Sequence, residues 1–141
     1  MQIRTNALIP ELSVANLAQS LAFYVGVVGF SIVYERKKDW FALIAIGNAQ
    51  LMLDEIDRGR TWRTAPFEPP LGRGVNLQVM VDRLDVLIDS LRRAQVALYL
   101  EVEERWYRRG QIEVGHRQLA VQDPDGYLLR FVENLGERVV V

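Results

Sequence analysis

The feature that most restricts the fold of this chain is a weak internal repeat. The segment from Leu8 to Gly26 aligns with the segment from Val75 to Arg93 at a constant offset of 67 residues. Each copy begins with apolar residues at every second position, as in a strand, and continues with apolar residues at helical spacing. The strand positions are Leu8, Pro10, Leu12 and Val14 in the first copy and Val75, Leu77, Val79 and Val81 in the second. The helical positions are Leu17, Leu21 and Tyr24 in the first copy and Leu84, Ile88 and Leu91 in the second.

The ends of the two predicted helices are also marked. Asn16 lies directly before the first helical stripe and Asp82 lies two residues before the second, and both residue types are good N-caps. Gly29 predicts the end of the first helix. Both copies therefore predict a strand, a cap and a helix in that order.

Three further strand-like runs follow each helix. In the first half they are "FSIVYER", "FALIAIG" and "AQLMLDEI", with Asn48 at the last turn. In the second half they are "VALYLEVEE", "IEVGHRQLAVQ" and "YLLRFVE", separated by a predicted loop "RWYRRG" and the turn "DPDG". Each half is therefore a predicted βαβββ module.

The modules are joined by "DRGRTWRTAPFEPPLGRG", which has no apolar periodicity and is a linker by composition. We predict one α+β domain over residues 1–141, with module 1 at about 5–56, the linker at about 57–73 and module 2 at about 74–135. One four-stranded sheet with one helix buries only one face well. Two such sheets can bury more by pairing edge to edge or around a shared cavity, and we expect two curved mixed sheets around a cavity.

Composition excludes several functions. The chain has 17 basic and 18 acidic residues, so its net charge of −1 gives no broad electrostatic surface for nucleic acid or an anionic membrane. It has no cysteine, which excludes thiolate nucleophiles and cysteine-bound zinc. No apolar run approaches the roughly 18 residues of a membrane span. We expect a cytoplasmic protein with no nucleic-acid or membrane partner.

Two motifs resemble those of a known family. "SVANLAQSLAFYVGVVGF" resembles the opening of the vicinal oxygen chelate superfamily, and "QDPDGYLLRF" resembles its last strand. The repeat matches the paired βαβββ modules of that superfamily, so the resemblance covers essentially the whole chain. The superfamily includes glyoxalase I, extradiol dioxygenases, fosfomycin-modifying enzymes and bleomycin-resistance proteins.

The resemblance places four metal-ligand positions at Ile9, Met52, Asn76 and Arg130. Isoleucine, methionine and arginine are unsuitable ligands for a hard divalent cation, and asparagine offers one weak oxygen donor. Arg130, in the middle of an otherwise apolar strand, stands where a chelating member has glutamate. We therefore expect a metal-free cavity, no metal ligands and no cofactor.

Metal-free members of the superfamily resemble bleomycin-resistance proteins, dimers that sequester a drug in grooves at the subunit interface. "WYRRGQIEVGHRQLAVQDPDGYLLRF" is similar to that branch. The resemblance implies a homodimeric antibiotic-resistance protein that binds a drug-like or aromatic small molecule and is not an enzyme. The alternatives are a glyoxalase- or dioxygenase-like lyase or oxidoreductase with atypical ligands, and a module whose cavity is vestigial.

Candidate ligand-binding residues follow from the strand faces. On the first strand of each module, the face opposite the apolar stripe carries Glu11 and Ser13, and Asn76 and Gln78; these side chains line the cavity or, alternatively, face solvent. Trp106 and Tyr107 are predicted to rim the site, the alternative being that the tryptophan covers a small cluster beneath a loop. With Arg130, the predicted ligand-binding set is Glu11, Ser13, Asn76, Gln78, Trp106, Tyr107 and Arg130. We assign no catalytic residue, and none to the single histidine, His116.

Overall fold

A computed structural model describes residues 2–140 of the chain. The chain divides into two compact units. Unit 1 comprises the residues up to Leu71 together with the short segment Asp123–Gly126, and unit 2 comprises Gly72–Gln122 and the residues from Tyr127 onward.

Unit 1 is a four-stranded mixed sheet with one helix. Its strands are β1 (Glu11–Val14), β2 (Ser31–Arg36), β3 (Phe41–Ile46) and β4 (Ala49–Glu55), in the spatial order β1-β4-β3-β2. Helix α1 (Leu17–Leu21) continues as a π-helical segment (Ala22–Val28), and a 3₁₀ turn (Lys37–Asp39) joins β2 to β3. Strands β1 and β4 are parallel, and the other pairs are antiparallel.

Unit 2 repeats this arrangement. Its elements are β5 (Asn76–Met80), α2 (Leu84–Arg93), β6 (Leu100–Arg109), β7 (Ile112–Gln122) and β8 (Leu128–Val139). The spatial order is β5-β8-β7-β6, with β5 and β8 parallel. The predicted α+β fold of two βαβββ modules is confirmed. Over residues 2–140, no helix is long and apolar enough to span a membrane.

The buried face of unit 1 explains how its helix is held. Leu12, Val14 and Leu53 alternate with polar residues on β1 and β4 and are at most 7% exposed, and Leu17 and Tyr24 of the helical segment are also buried. Burial of side chains of this size removes each from water at a gain of about 1.5–3 kcal/mol. Because the apolar face of this sheet is buried against the helix, we expect a binding site on the opposite face of the sheet.

Capping of α1 follows the sequence closely. The side chain of Asn16 accepts a hydrogen bond from the Gln19 N–H at 2.9 Å, so its predicted role as N-cap is confirmed. The Glu55 carboxylate accepts a second bond, from the Leu17 N–H at 2.8 Å. The helical segment ends at Gly29, whose φ of 104° lies in the left-handed region that favours glycine.

The start of α2 differs from the prediction. Its N-cap is Arg83, which makes no side-chain capping bond, so the predicted cap at Asp82 is wrong. The buried stripe of Leu84, Ile88 and Leu91 is confirmed. Packing of that stripe, rather than a local cap, therefore sets where this helix begins.

The predicted loop "RWYRRG" is also wrong. Strand β6 continues to Arg109, and the turn to β7 occupies only Gly110 and Gln111. Trp106 pairs with Gly115 of β7, and a Cβ at Gly115 would lie 2.6 Å from the indole ring. The missing side chain of Gly115 leaves room for the tryptophan, and this contact between strands has no local sequence signal.

The Asp-Pro-Asp-Gly turn is fixed within unit 1. The Gly126 N–H donates to the Asp123 carbonyl at 3.0 Å, and Gly126 has a φ of 97°. The Tyr24 hydroxyl donates to the Asp123 carboxylate at 2.7 Å, and the Ala15 N–H donates to the Asp125 carboxylate at 3.0 Å. These bonds connect the turn to Tyr24 of the helical segment and to Ala15, which precedes α1.

Candidate functional site

Unit 1 contains a cavity on the sheet face opposite its apolar stripe. Strand pairing brings Glu11 beside Met52, and Ser13 beside Asp54, on that face. The cavity has a volume of about 430 Å³. Its lining, which we call the unit 1 pocket, consists of Glu11, Tyr34, Arg36, Asp39, Phe41, Met52, Asp54, Gly59, Arg60 and Trp62.

Asp54 is the most unusual group in the unit 1 pocket. The residue is only 7% exposed, and its carboxylate makes no hydrogen bond or ion pair to any residue of the described range 2–140. Burial raises the pKa of Asp54; the charge of Arg36 lowers it, and the charge of Asp39 raises it. Partial withdrawal of the Asp54 carboxylate from water disfavours its charged form, so its environment favours an added positive charge or a proton.

Glu11 adds a second acidic group to the unit 1 pocket. Burial raises its pKa above the ordinary 4.5, the charge of Asp54 raises it further, and the charge of Arg36 lowers it. Arg36 does not neutralise the pair fully, because its Nε donates to the Asp39 carboxylate at 3.1 Å. The unit 1 pocket therefore holds two carboxylates whose negative charges are only partly balanced.

Aromatic rings form the walls around these carboxylates. The Arg36 guanidinium lies 3.9 Å from the centroid of the Phe41 ring, whose centroid is 6.0 Å from that of Tyr34. Trp62 is 58% exposed and carries the Arg60 guanidinium 3.8 Å from its ring. Flat π faces beside acidic groups suit an aromatic or cationic ligand.

Unit 2 has a different polar arrangement, which we call the Arg130 face. The Arg130 Nη1 donates to the Gln118 side-chain oxygen at 3.0 Å, and its Nε donates to the Asn76 side-chain oxygen at 3.3 Å. The Gln118 amide nitrogen in turn donates to Glu103 at 2.9 Å and to the Tyr107 hydroxyl at 2.8 Å. Five residues on four strands thus form one hydrogen-bonded network with the buried Gln118 at its centre.

His116 lies on the same face. Its ring centroid is 5.4 Å from that of Tyr107, and its Nδ1 is buried without a hydrogen-bond partner in the described chain. Burial lowers the pKa of His116, and the charge of Arg130 lowers it further. The imidazole is therefore neutral at neutral pH, and it leaves Arg130 as the main positive charge there.

The predicted site residues fall into three places. Glu11 lines the unit 1 pocket, and Ser13 lies on the same sheet face. Asn76, Tyr107 and Arg130 belong to the Arg130 face, together with Gln78, which pairs with Arg130 in register and whose amide lies 3.6 Å from the Met80 sulfur. Trp106 lies on the other side of its sheet.

The structure does not bring Trp106 and Tyr107 together. Neighbouring residues of a strand face opposite sides, so Tyr107 joins Gln118 while Trp106 covers Gly115. The indole N–H donates to Glu104 at 2.9 Å, and the Arg138 guanidinium lies 4.1 Å from the ring. These contacts stabilise the β6–β7–β8 surface.

Several site residues were missed by the sequence interpretation. Asp54 lies two residues after Met52 in "QLMLDEI" and so shares its face of the strand. The period-2 pattern that located Glu11 would also have located Asp54. Gln118 lies directly before the apolar run Leu119–Val121 on a strand that carries several other polar residues, so its sequence gives no comparable signal. Tyr34 and Trp62 have no such pattern, because a register shift between Ile32 and Tyr34 interrupts the pairing of β2 and because Trp62 lies in the irregular linker.

The residues at the four predicted metal positions do not fit a divalent cation. Ile9 precedes β1, Met52 faces the unit 1 pocket with its thioether, and Arg130 carries a positive charge hydrogen-bonded to Asn76. Over residues 2–140, no three histidine, cysteine, aspartate or glutamate side chains are grouped as metal ligands. We therefore derive no step through a metal.

The amino-acid sequence matches a family model and several named proteins. The model of the Glyoxalase/Bleomycin resistance protein/Dioxygenase superfamily matches residues 7–131. Proteins named bleomycin resistance protein from Geobacillus stearothermophilus and Staphylococcus aureus are each 24% identical over 137 residues, covering 90% of this chain and 96% of the relative.

Solved structures show the same fold. TioX from Micromonospora sp. ML1 matches with a TM-score of 0.70 at 18% identity, over 92% of this chain and 99% of that chain. A virulence protein from Salmonella typhimurium matches with a TM-score of 0.68 at 17% identity, over 94% and 98% of the two chains. The family match includes both sequence motifs and nearly all of both modules. The chain therefore belongs to the glyoxalase/bleomycin resistance protein/dioxygenase superfamily.

Proposed function

We propose that this protein binds a flat, positively charged small molecule of the drug class in the unit 1 pocket and holds it without chemical change. The observation that carries this proposal is Asp54, a carboxylate that is 7% exposed, lacks a hydrogen-bond or ion-pair partner within residues 2–140, and lines an aromatic-walled cavity. Relatives named bleomycin resistance protein support a drug as the ligand. No metal takes part.

The chemistry of the unit 1 pocket supports a cation in particular. A ligand cation placed between Asp54 and Glu11 would offset the burial that now raises the pKa of both groups. Stacking on Trp62 or Tyr34 adds affinity, because an aromatic face attracts a cation by about 0.5–2 kcal/mol. The volume of about 430 Å³ lies within the range for small-molecule sites and admits the planar part of a larger drug.

A catalytic alternative has one observation in its favour. Carboxylates with raised pKa values are a common feature of general acids and bases, so Glu11 and Asp54 suit proton transfer in a lyase or oxidoreductase. Recovering the ligand after prolonged incubation separates the two functions. We expect mass spectrometry to return it unchanged; a product formed by wild type and lost in Asp54→Asn would establish the enzyme instead.

We also propose a homodimer with a pair of ligand sites. Leu8 and Val75 occupy equivalent positions in the repeat, three residues before edge strand β1 and one residue before edge strand β5, and are 83% and 58% exposed. Exposed apolar residues beside unpaired strand edges suit association with a second copy. Sedimentation should give a dimer that Leu8→Asp with Val75→Asp converts to monomer; a wild-type monomer at micromolar concentration would contradict the dimer.

Calorimetric titration with bleomycin tests the ligand class. We expect binding to wild type and weaker binding to Asp54→Asn, with Asp89→Asn, an exposed aspartate on α2, as the matched control. If bleomycin gives no heat, simpler aromatic cations should be tried next. Failure of both bleomycin and aromatic cations would refute a cation-binding unit 1 pocket.

A further inference from the structure

Arg130 has no acidic partner in the described part of the chain. Its two side-chain hydrogen bonds go to neutral amide oxygens, those of Gln118 at 3.0 Å and Asn76 at 3.3 Å. Other arginines of unit 2 are paired with carboxylates: Arg117 with Asp85 at 2.9 Å, and Arg138 with Glu113 at 2.6 Å. Arg130 thus retains an uncompensated positive charge.

The guanidinium is held in a fixed orientation with donors to spare. A guanidinium carries five N–H donors, and the described bonds use the single one on Nε and one on Nη1. Three donors remain, one on Nη1 and two on Nη2. The remaining N–H of Nη1 and one N–H of Nη2 can donate two parallel hydrogen bonds to an oxyanion that approaches the guanidinium end-on.

Gln118, which orients Arg130, is itself held in place by hydrogen bonds. Gln118 is 2% exposed, and its amide nitrogen donates to Glu103 and Tyr107. These two bonds determine which end of the amide faces Arg130, so the Gln118 oxygen must accept from Nη1. Side chains positioned in this way lose little freedom when a ligand binds.

The charges around Arg130 favour an anion. The acidic group in this network is Glu103, which already accepts from Gln118 and lies 3.9 Å from Arg105. Glu133, on the same strand as Arg130, belongs to the other sheet face, where it lies 3.8 Å from Arg117. The strand neighbours of Arg130 in register are the neutral residues Gln78 and Ala120.

We propose that Arg130 is the anchor of an oxyanion site on unit 2, which takes the carboxylate or phosphate group of a small molecule end-on at Nη1 and Nη2. Gln118 and Asn76 position the guanidinium. The residues of this site all belong to unit 2 and its charge preference is opposite to that of the unit 1 pocket, so it stands whether or not that pocket binds a cation.

Nuclear magnetic resonance titration of the full chain with inorganic phosphate, and separately with acetate, tests this site at constant ionic strength. We expect the Arg130 side-chain nitrogen signals to shift saturably with one or both anions. Phosphate alone would identify a tetrahedral dianion, and both anions would identify a general oxyanion site. Lack of a saturable Arg130 shift with either anion would overturn the site.

Variants separate specific binding from general screening. Arg130→Gln should weaken anion binding by at least about tenfold, and Arg130→Lys should retain part of it, because lysine keeps the charge but loses the fork. Arg117→Gln is the matched control, since Arg117 is ion-paired on the other sheet face. Equal losses in Arg117→Gln and Arg130→Gln would show only nonspecific attraction and refute the site.

The His116 imidazole provides a second readout. It faces Arg105 and Tyr107 on β6, and Arg130 and Asn134 on β8. An anion on Arg130 would offset the positive charge that lowers the pKa of His116, so phosphate should raise that pKa in wild type and not in Arg130→Gln. An unchanged pKa of His116 in phosphate-saturated wild type would contradict an anion bound at Arg130.

Discussion

Glu11 and Asp54 are diagonal neighbours on the same face of two parallel strands, because Glu11 pairs with Met52 and Ser13 pairs with Asp54. The charge of Asp54 raises the pKa of Glu11, and burial raises the pKa of both. At neutral pH these effects disfavour the charged forms of both groups, and a cation bound between them, as we propose, would offset that cost. Such a conflict between stability and function is typical of a binding site.

Asp54→Asn should stabilise the protein at neutral pH. The amide keeps the size of the side chain and removes both the buried charge and its repulsion of Glu11. We expect a gain of about 0.5–2 kcal/mol in the free energy of unfolding, measured by urea denaturation at pH 7. Asp89→Asn is the control, and a loss of stability in Asp54→Asn beyond that control would contradict an unfavourable charge at position 54.

The pH dependence of stability should carry the signature of the same pair. The folded-state pKa values of Glu11 and Asp54 are raised above the ordinary 4.5 and 3.8, so the folded state binds more protons than the unfolded state in that range. The stability that these two groups contribute is fully present below their ordinary pKa values. It is lost as the pH rises through their raised folded-state pKa values. Glu11→Gln with Asp54→Asn should remove this component, seen as a changed slope of unfolding free energy against pH from about 4 upward.

His116 should give the free energy of unfolding the opposite pH dependence, at higher pH. Its folded-state pKa is lowered from 6.5, so the unfolded state binds more protons and stability rises as the pH increases through this window. His116→Gln should flatten the slope near pH 6. A slope equal to that of wild type would show that the imidazole is solvated, contrary to its buried Nδ1.

Tyr24→Phe should destabilise unit 1 because the Tyr24 hydroxyl donates to the buried Asp123 carboxylate at 2.7 Å. Removing the donor weakens the connection between the helical segment and the Asp-Pro-Asp-Gly turn, at a cost of about 1–3 kcal/mol. Urea denaturation measures this cost against Tyr99→Phe, whose ring is 69% exposed. Equal stability of the two variants would contradict the contribution of this bond.

The two tryptophan variants should differ in their effects. Trp62→Ala should weaken binding of an aromatic cation by about tenfold, because Trp62 lines the unit 1 pocket. Trp106→Ala should instead lower stability while ligand affinity stays unchanged, since the indole covers Gly115 and carries Arg138. Calorimetry measures the ligand affinity of both variants, and urea denaturation measures their stability. Weaker binding in Trp106→Ala with unchanged binding in Trp62→Ala would contradict this prediction.

Much of the fold was predictable because its signals are local and repeated. The period-2 pattern located the buried face of β1, the Asn16 cap was correct, and the helical stripes followed from spacing alone. The errors lie where tertiary contacts decide. Strand β6 extends through "RWYRR" because Trp106 packs on Gly115, and α2 begins at Leu84 without the Asp82 cap.

The candidate site was predictable in part for the same reason. The sequence located Glu11 on the face opposite the apolar stripe of β1 and Arg130 in the middle of an otherwise apolar strand, but their partners lie on other strands. Asp54 joins Glu11 through the β1–β4 register, and Gln118 joins Arg130 through the β7–β8 register. Sequence alone does not give the register between distant strands, so the composition of each face had to come from the structure.

Calorimetric titration with an aromatic cation in two buffers of different ionisation heat tests the central claim most directly. At an acidic pH near the raised pKa values of Glu11 and Asp54 both groups are partly protonated, so binding of the cation should release protons and the wild-type heat should depend on the buffer. We predict that Glu11→Gln with Asp54→Asn loses this dependence and binds at least about tenfold more weakly. Equal affinity in wild type and the double variant would contradict a cation held by Glu11 and Asp54.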